Sequence, residues 1–217
     1  MVKVHFLGAA GTVTGSKIFI ETQEINILVD CGMFQGKKEL REINWLPIPI
    51  DVTSIDMILL THGHLDHTGY LPRLVTSGFN GSIIGTAPTL AIARIILMDS
   101  AKIHEEEAEK ANKDGYSRHN PAKPFYTLKD VERTIALFKE VEAEQAISLS
   151  DHIKSTFRPN GHILGSTFIE VDIFEKKFVF SGDIGRFKDI LLDAPIKPKW
   201  ADFLFRESTY GNKIHPQ

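Results

Sequence analysis

The segment Ile55-Asp-Met-Ile-Leu-Leu-Thr61-His62-Gly-His64-Leu-Asp66-His67 constrains this chain more than any other. An apolar, strand-like run leads into three histidines and one aspartate within six residues. Side chains alternate along extended backbone, so His62 and His64 fall on one side of it. Asp66 and His67 follow where the chain enters a helix and are expected to point elsewhere. One loop can then serve two adjacent metal positions. Imidazole nitrogen and carboxylate oxygen are ligand atoms that suit zinc. A solvated loop with coincidental histidines is the plainer reading, and the tight spacing argues against it.

A metal site needs ligands from elsewhere to close it. Asn160-Gly-His162-Ile-Leu-Gly-Ser offers a histidine in a glycine-flanked turn, and Ser181-Gly-Asp183-Ile-Gly offers an aspartate at a strand end. Glycines there allow close approach of backbone to a ligand. Alone, each reads as a surface histidine or a turn-forming aspartate. Beside the first motif they become candidate ligands.

The rest of the chain provides the frame. Residues 2–7, 17–21, 25–29 and 55–60 read as strands separated by polar or glycine-rich turns. Residues 168–174 alternate, with Ile169, Val171 and Ile173 on one face and Glu170 and Asp172 on the other. Glu175-Lys176-Lys177 turns that strand back into Phe178-Val-Phe, and 200–205 is the last strand candidate. Residues 65–76 and 89–111 have helical spacing. Residues 114–125 read as a loop. Thr127-Leu-Lys-Asp130 reads as a capping box, with Val131, Ile135 and Phe138 on one helical face. This is a mixed α/β chain with helices packed outside sheets.

A length of 217 residues suits one domain, and 42% hydrophobic with 24% charged residues excludes global disorder. No apolar run is long enough to span a membrane, so no membrane partner is expected. The single cysteine, Cys31, excludes an internal disulfide framework, suits a reducing cytoplasmic compartment and reads as a small buried hydrophobe. A formal charge of −3 leaves room for a local basic groove. Lys102, Lys110, Lys113, Arg118 and Lys123 form either such a patch or ordinary solvated surface. The run Gly8-Ala-Ala-Gly11-Thr-Val-Thr-Gly15-Ser-Lys17 matches neither phosphate-binding glycine signature and reads as a tight turn.

In order, His62-x-His64-x-Asp66-His67, His162 and Asp183 resemble the signature of the metallo-β-lactamase superfamily. Asp30, in Leu-Val-Asp30-Cys-Gly, matches the acid that precedes it there. Phe205-Arg-Glu207-Ser-Thr-Tyr-Gly resembles motif A of the β-CASP branch of RNA-processing nucleases, and the opening Leu7-Gly-Ala-Ala-Gly resembles that branch too. The resemblance covers essentially residues 1–217 and implies an αββα sandwich. It implies that His62, His64 and His162 hold one zinc, that Asp66 and His67 hold a second, and that Asp183 bridges both. Asp30 is implied as the acid that orients a ligand, and Glu207 as support for a downstream catalytic histidine.

Two zinc ions roughly 3.5–4 Å apart can share a hydroxide and lower its pKa toward neutrality, which makes phosphodiester hydrolysis the expected chemistry. RNA as the substrate is implied only by the resemblance. Asp30, Asp66 and Glu207 are the expected catalytic acids. The sequence ends ten residues after Glu207, without the family's cap domain, its motif C histidine or its C-terminal return. His215 follows Asp183 but matches no family ligand, Arg206 stands where an apolar residue is usual, and Asn212-Lys213 replaces a common Asp-Arg pair. The expectation is an N-terminal portion with a weak second metal, which self-associates or takes a complementary chain. Hydrolysis of a small thioester or lactone, and an inert metal-binding or interaction module, are the alternative readings.

Overall fold

The computed structural model describes residues 1–117 and 119–213. Arg118 and His215, both weighed above, lie outside the described residues. Two compact units divide the chain, Met1–Val141 and Glu142–Gln217.

The first unit is built on six strands: β1 (Lys3–Gly8), β2 (Lys17–Glu21), β3 (Asn26–Val29), β4 (Met57–Leu59), β5 (Ser82–Thr86) and β6 (Phe138–Val141). They pair in that order, antiparallel from β1 to β3 and parallel from β3 to β6. Parallel strands covered on both faces read as continuous apolar runs. Ile27-Leu28-Val29 and Ile58-Leu59 are buried accordingly. Leu28, Ile58, Leu71, Leu74, Ile83 and Leu97 share one core.

Among the described residues, five α-helices connect these strands: α1 (Lys38–Ile43), α2 (Leu65–Thr68), α3 (Leu71–Thr76), α4 (Ala87–Asp114) and α5 (Leu128–Ile135). The single helix expected over 65–76 is therefore two. Pro72 has no N–H for a continuous ladder, and Tyr70 N–H donates sideways to Cys31 O at 2.9 Å. The capping box forms as expected. Thr127 Oγ1 accepts from Asp130 N, and Asp130 Oδ2 accepts from Thr127 N–H at 2.9 Å. Phe138 does not lie on that helix, however. α5 stops at Ile135, and Phe138 opens β6 opposite Ile83.

The second unit holds β7 (Ala146–Ser148), β8 (Ile153–Pro159), β9 (Thr167–Ile173), β10 (Lys176–Phe180) and β11 (Phe203–Phe205). The sheet order is β11-β10-β9-β8-β7, all antiparallel except β10 with β11. The expected β9–β10 hairpin is present, with Phe174 at φ +55° in its turn. Glu170, expected on the polar face, is 7% exposed. Arg158 Nε at 3.3 Å and Lys177 Nζ at 3.8 Å cover its carboxylate. No helix among the described residues is long and apolar enough to cross a membrane.

The tight turn expected at 8–15 has Ala9, Gly11 and Gly15 at positive φ. A Cβ on Gly15 would sit 2.6 Å from the Phe34 ring, so glycine is needed there for space as well as conformation. The turn delivers Lys17 into the interior, 3% exposed. Its ammonium lies 4.6 Å from the Phe34 ring centroid and 4.9 Å from that of Tyr70, and donates to Gly15 O. Burial pushes its pKa down to about 8. The folded state therefore binds fewer protons than the unfolded chain between about pH 8 and 10.5, and stability rises with pH across that window. Urea unfolding of the parent and Lys17→Met at pH 7 and pH 10.5 should show the parent gaining about 3 kcal/mol relative to the variant. A pH-independent difference would contradict this.

Candidate metal centre

Asp30 directly follows β3 with φ +58°, a conformation rare outside glycine, asparagine and aspartate. Its carboxylate is buried and accepts Thr61 N–H at 2.8 Å. Thr61 Oγ1 lies 3.0 and 2.9 Å from the two carboxylate oxygens and 3.0 Å from His62 Nδ1. A carboxylate only accepts, so the single hydroxyl proton goes to Asp30. Pointed at the imidazole, it would leave oxygen lone pairs facing carboxylate oxygens. The hydroxyl then accepts from His62 Nδ1–H, and the imidazole lone pair falls on Nε2. On the other side, Asp30 Oδ2 accepts from His67 Nδ1 at 2.7 Å, which likewise assigns the His67 lone pair to Nε2. One acid thus sets two tautomers, the arrangement that metal-binding histidines need.

The loop between β4 and α2 brings these rings together. His62 Nε2 and His64 Nδ1 are 3.1 Å apart. His67, turned back by α2, has its ring centroid 4.0 Å from that of His62. Asp66 Oδ2 lies 4.0 Å from His67 Nε2. Backbone bonds hold the loop in place: Cys31 N–H donates to His67 O at 2.7 Å, and Ser16 N–H donates to Asp66 O at 2.9 Å. Gly32 is required, because a Cβ would meet Asp66 O at 1.5 Å. Cys31 is fully buried, and burial pushes its thiol up to about 12, so it is an inert packing group as expected.

In the second unit, His162 Nε2 and Asp183 Oδ2 are 3.5 Å apart. Asn160, 2% exposed, joins the two loops that carry them. Its Nδ2 donates to Ser181 O at 3.0 Å and Asp183 O at 2.8 Å, while its backbone carbonyl accepts Gly185 N–H at 3.0 Å. Ser166 Oγ accepts from the N–H groups of His162 and Ile163, both at 3.0 Å. Glu207 braces the same region. Its Oε1 accepts Ile184 N–H at 3.4 Å, its Oε2 accepts Thr209 N–H at 3.0 Å, and its own N–H donates to Ser181 Oγ.

The first unit therefore gathers Asp30, His62, His64, Asp66 and His67, and the second gathers His162, Asp183 and Glu207. Sequence reasoning missed Thr61, Asn160 and Ser166. The one sequence signal was their nearness to candidate ligands: Thr61 directly precedes His62, and Asn160 and Ser166 flank His162 in the same turn.

The metallo-beta-lactamase superfamily model matches residues 11–213. The chain belongs to the metallo-β-lactamase superfamily and has its α/β fold. Ribonuclease TTHA0252 of Thermus thermophilus is 36% identical over 96% of this chain and 44% of its own length. Transcription termination factor FttA of Cenarchaeum symbiosum is 32% identical over 98% of this chain and 32% of its own. Cleavage and polyadenylation specificity factor 73 of Drosophila melanogaster is 29% identical over 99% and 30%. The chain spans less than half the length of these relatives. Their names agree with the resemblance to the RNA-processing branch, and the family with its histidine and aspartate set supports a metal cofactor.

Asn160→Ala would leave the Ser181 and Asp183 carbonyls without their donor. The expected cost is about 2–4 kcal/mol in urea unfolding, with faster amide exchange at His162 and Gly185. Unchanged exchange at both amides would show that Asn160 does not hold these loops.

Proposed function

We propose that this chain carries the metal centre of a zinc-dependent RNA phosphodiesterase acting in the cytoplasm. The observation that carries the reading is the Asp30–Thr61–His62 and Asp30–His67 relay, which directs two Nε2 lone pairs for coordination. The donor spacings also fit. Two ligands bonded at roughly 2.0–2.2 Å to a tetrahedral ion sit about 3.3–3.6 Å apart. The His62–His64 pair at 3.1 Å and the His162–Asp183 pair at 3.5 Å lie within or close to that range. His62, His64, His162 and Asp183 would hold one ion. Asp66 and His67, with Asp183 shared, would hold a second. The Asp66–His67 gap of 4.0 Å must close for both to share an ion, so the second ion should bind more weakly.

Zinc bound by such donors supplies a Lewis acid and lowers the pKa of coordinated water. The chain's own contributions are orientation and rigidity. Asp30 holds His62 and His67 in the binding tautomer, Asn160 holds the His162 and Asp183 loops, and Glu207 braces the backbone beside Asp183. RNA as the substrate rests on relatives named as a ribonuclease, a termination factor and a cleavage factor. Self-association or a complementary chain remains part of the proposal.

Metal analysis and cleavage of a labelled RNA, beside a thioester substrate, test this reading. His62→Ala and His162→Ala should each lose tight zinc, with at least a 100-fold fall in RNA cleavage, because loss of one ligand leaves an incomplete coordination shell. Unchanged zinc stoichiometry and affinity in both variants, or turnover of the thioester alone, would contradict it.

A further inference from the structure

A groove of about 710 Å³ lies wholly within the first unit, between the segment after Asp30 and the last turns of α4. Its prominent exposed side chains are aromatic: Trp45 is 53% exposed and Tyr116 is 62% exposed. Trp45 is propped edge-on against Phe125, with ring centroids 5.0 Å apart, so its orientation is fixed while much of its surface stays open. Small residues, including Ala108 and Ala111 of α4, also line it.

The charge points the same way. Among the described lining residues Arg41 and Lys123 are cationic and Glu107 is the acid, in a chain whose formal charge is −3. His104 also lines the groove, edge-on to Tyr126, and its Nδ1 is buried without a hydrogen-bond partner. Burial pushes that imidazole below its ordinary pKa, so it acts at neutral pH as a neutral polar group and not as another cation. The groove's walls are anchored. Asn44 exchanges hydrogen bonds with Phe34 N–H at 2.9 Å and Phe34 O at 2.8 Å, and Asn112 exchanges two with the backbone of Ala122.

Exposed aromatic rings, one of them propped by a neighbouring ring, with small residues and cations in the same lining, are the parts of a single-strand nucleic-acid platform, in which bases stack and phosphates meet Lys and Arg. We propose that this groove binds single-stranded RNA, stacking bases on Trp45 and Tyr116 while Arg41 and Lys123 contact the backbone. It is a separate contact from the metal ligands, and its assignment to RNA rests on the functional reading above.

Anisotropy of a fluorescein-labelled oligoadenylate RNA eight nucleotides long, measured in EDTA so that no cleavage occurs, tests the groove alone. Trp45→Ala and Tyr116→Ala should each raise Kd about tenfold or more, the effect of losing one stacked base, and Trp45→Phe should recover most of it. Arg41→Gln and Lys123→Gln should weaken binding more evenly and flatten its salt dependence. Zinc affinity of Trp45→Ala and Tyr116→Ala, measured separately without EDTA, should equal that of the parent, which separates failure of the groove from failure of the metal reading. Thermal unfolding checks that each variant is folded. No binding by the parent overturns the proposal. So does unchanged Kd in folded Trp45→Ala and Tyr116→Ala, or a change in self-association in these variants without a change in Kd.

Discussion

The Asp30 carboxylate is the interaction on which the first half of the site depends. A buried carboxylate must have its oxygens hydrogen-bonded. Asp30 meets that demand with Thr61 and His67. Its left-handed backbone turns the chain at the end of β3, so the residues after it run beside the histidine loop: Cys31 N–H bonds His67 O, and Met33 N–H bonds Leu65 O. The local strain of that backbone, of order 1–3 kcal/mol, is offset by these bonds. The result is rigidity at the point where two imidazoles must hold fixed tautomers. A metal site whose ligands had to reorganise would bind its ion less tightly.

Asn160 does the corresponding work in the second unit through different chemistry. A carboxylate can only accept, which suits it to fixing imidazole protons. An amide both donates and accepts: Asn160 Nδ2 donates to the Ser181 and Asp183 carbonyls, and its Oδ1 accepts His162 N–H at 3.3 Å. His62 and His67 thus rest on buried Asp30, and the loops of His162 and Asp183 on buried Asn160, and hydrogen bonds offset the cost of burying both. The aromatic groove is built on a different balance, with rings left exposed where the surrounding backbone is pinned.

Much of this was legible in the sequence. His62, His64, Asp66 and His67 stand out by spacing alone, and β2, the hairpin of β9 with β10, and the α5 capping box follow from alternation and capping chemistry. What escaped had physical causes. β5 and β6 are short and bounded by glycines or a helix end, so periodicity had too few residues to register. The break between α2 and α3 comes from Tyr70 bonding across to Cys31, a tertiary contact that no local pattern carries. Glu170 sits on the face expected to be polar but is covered by Arg158 and Lys177, cations contributed by neighbouring strands. Lys17 is buried because a loop of positive-φ residues delivers it between two rings. Thr61 and Asn160 have ordinary identities, and only their partners make them structural.

Anomalous diffraction at the zinc edge, from crystals of the protein grown with zinc, tests the central claim most directly. The account predicts a strong peak within roughly 2.0–2.2 Å of ligand atoms from His62, His64, His162 and Asp183, with any second peak beside Asp66 and His67 weaker. Zinc found only on surface residues, or bound by one half of this set without the other, would contradict it.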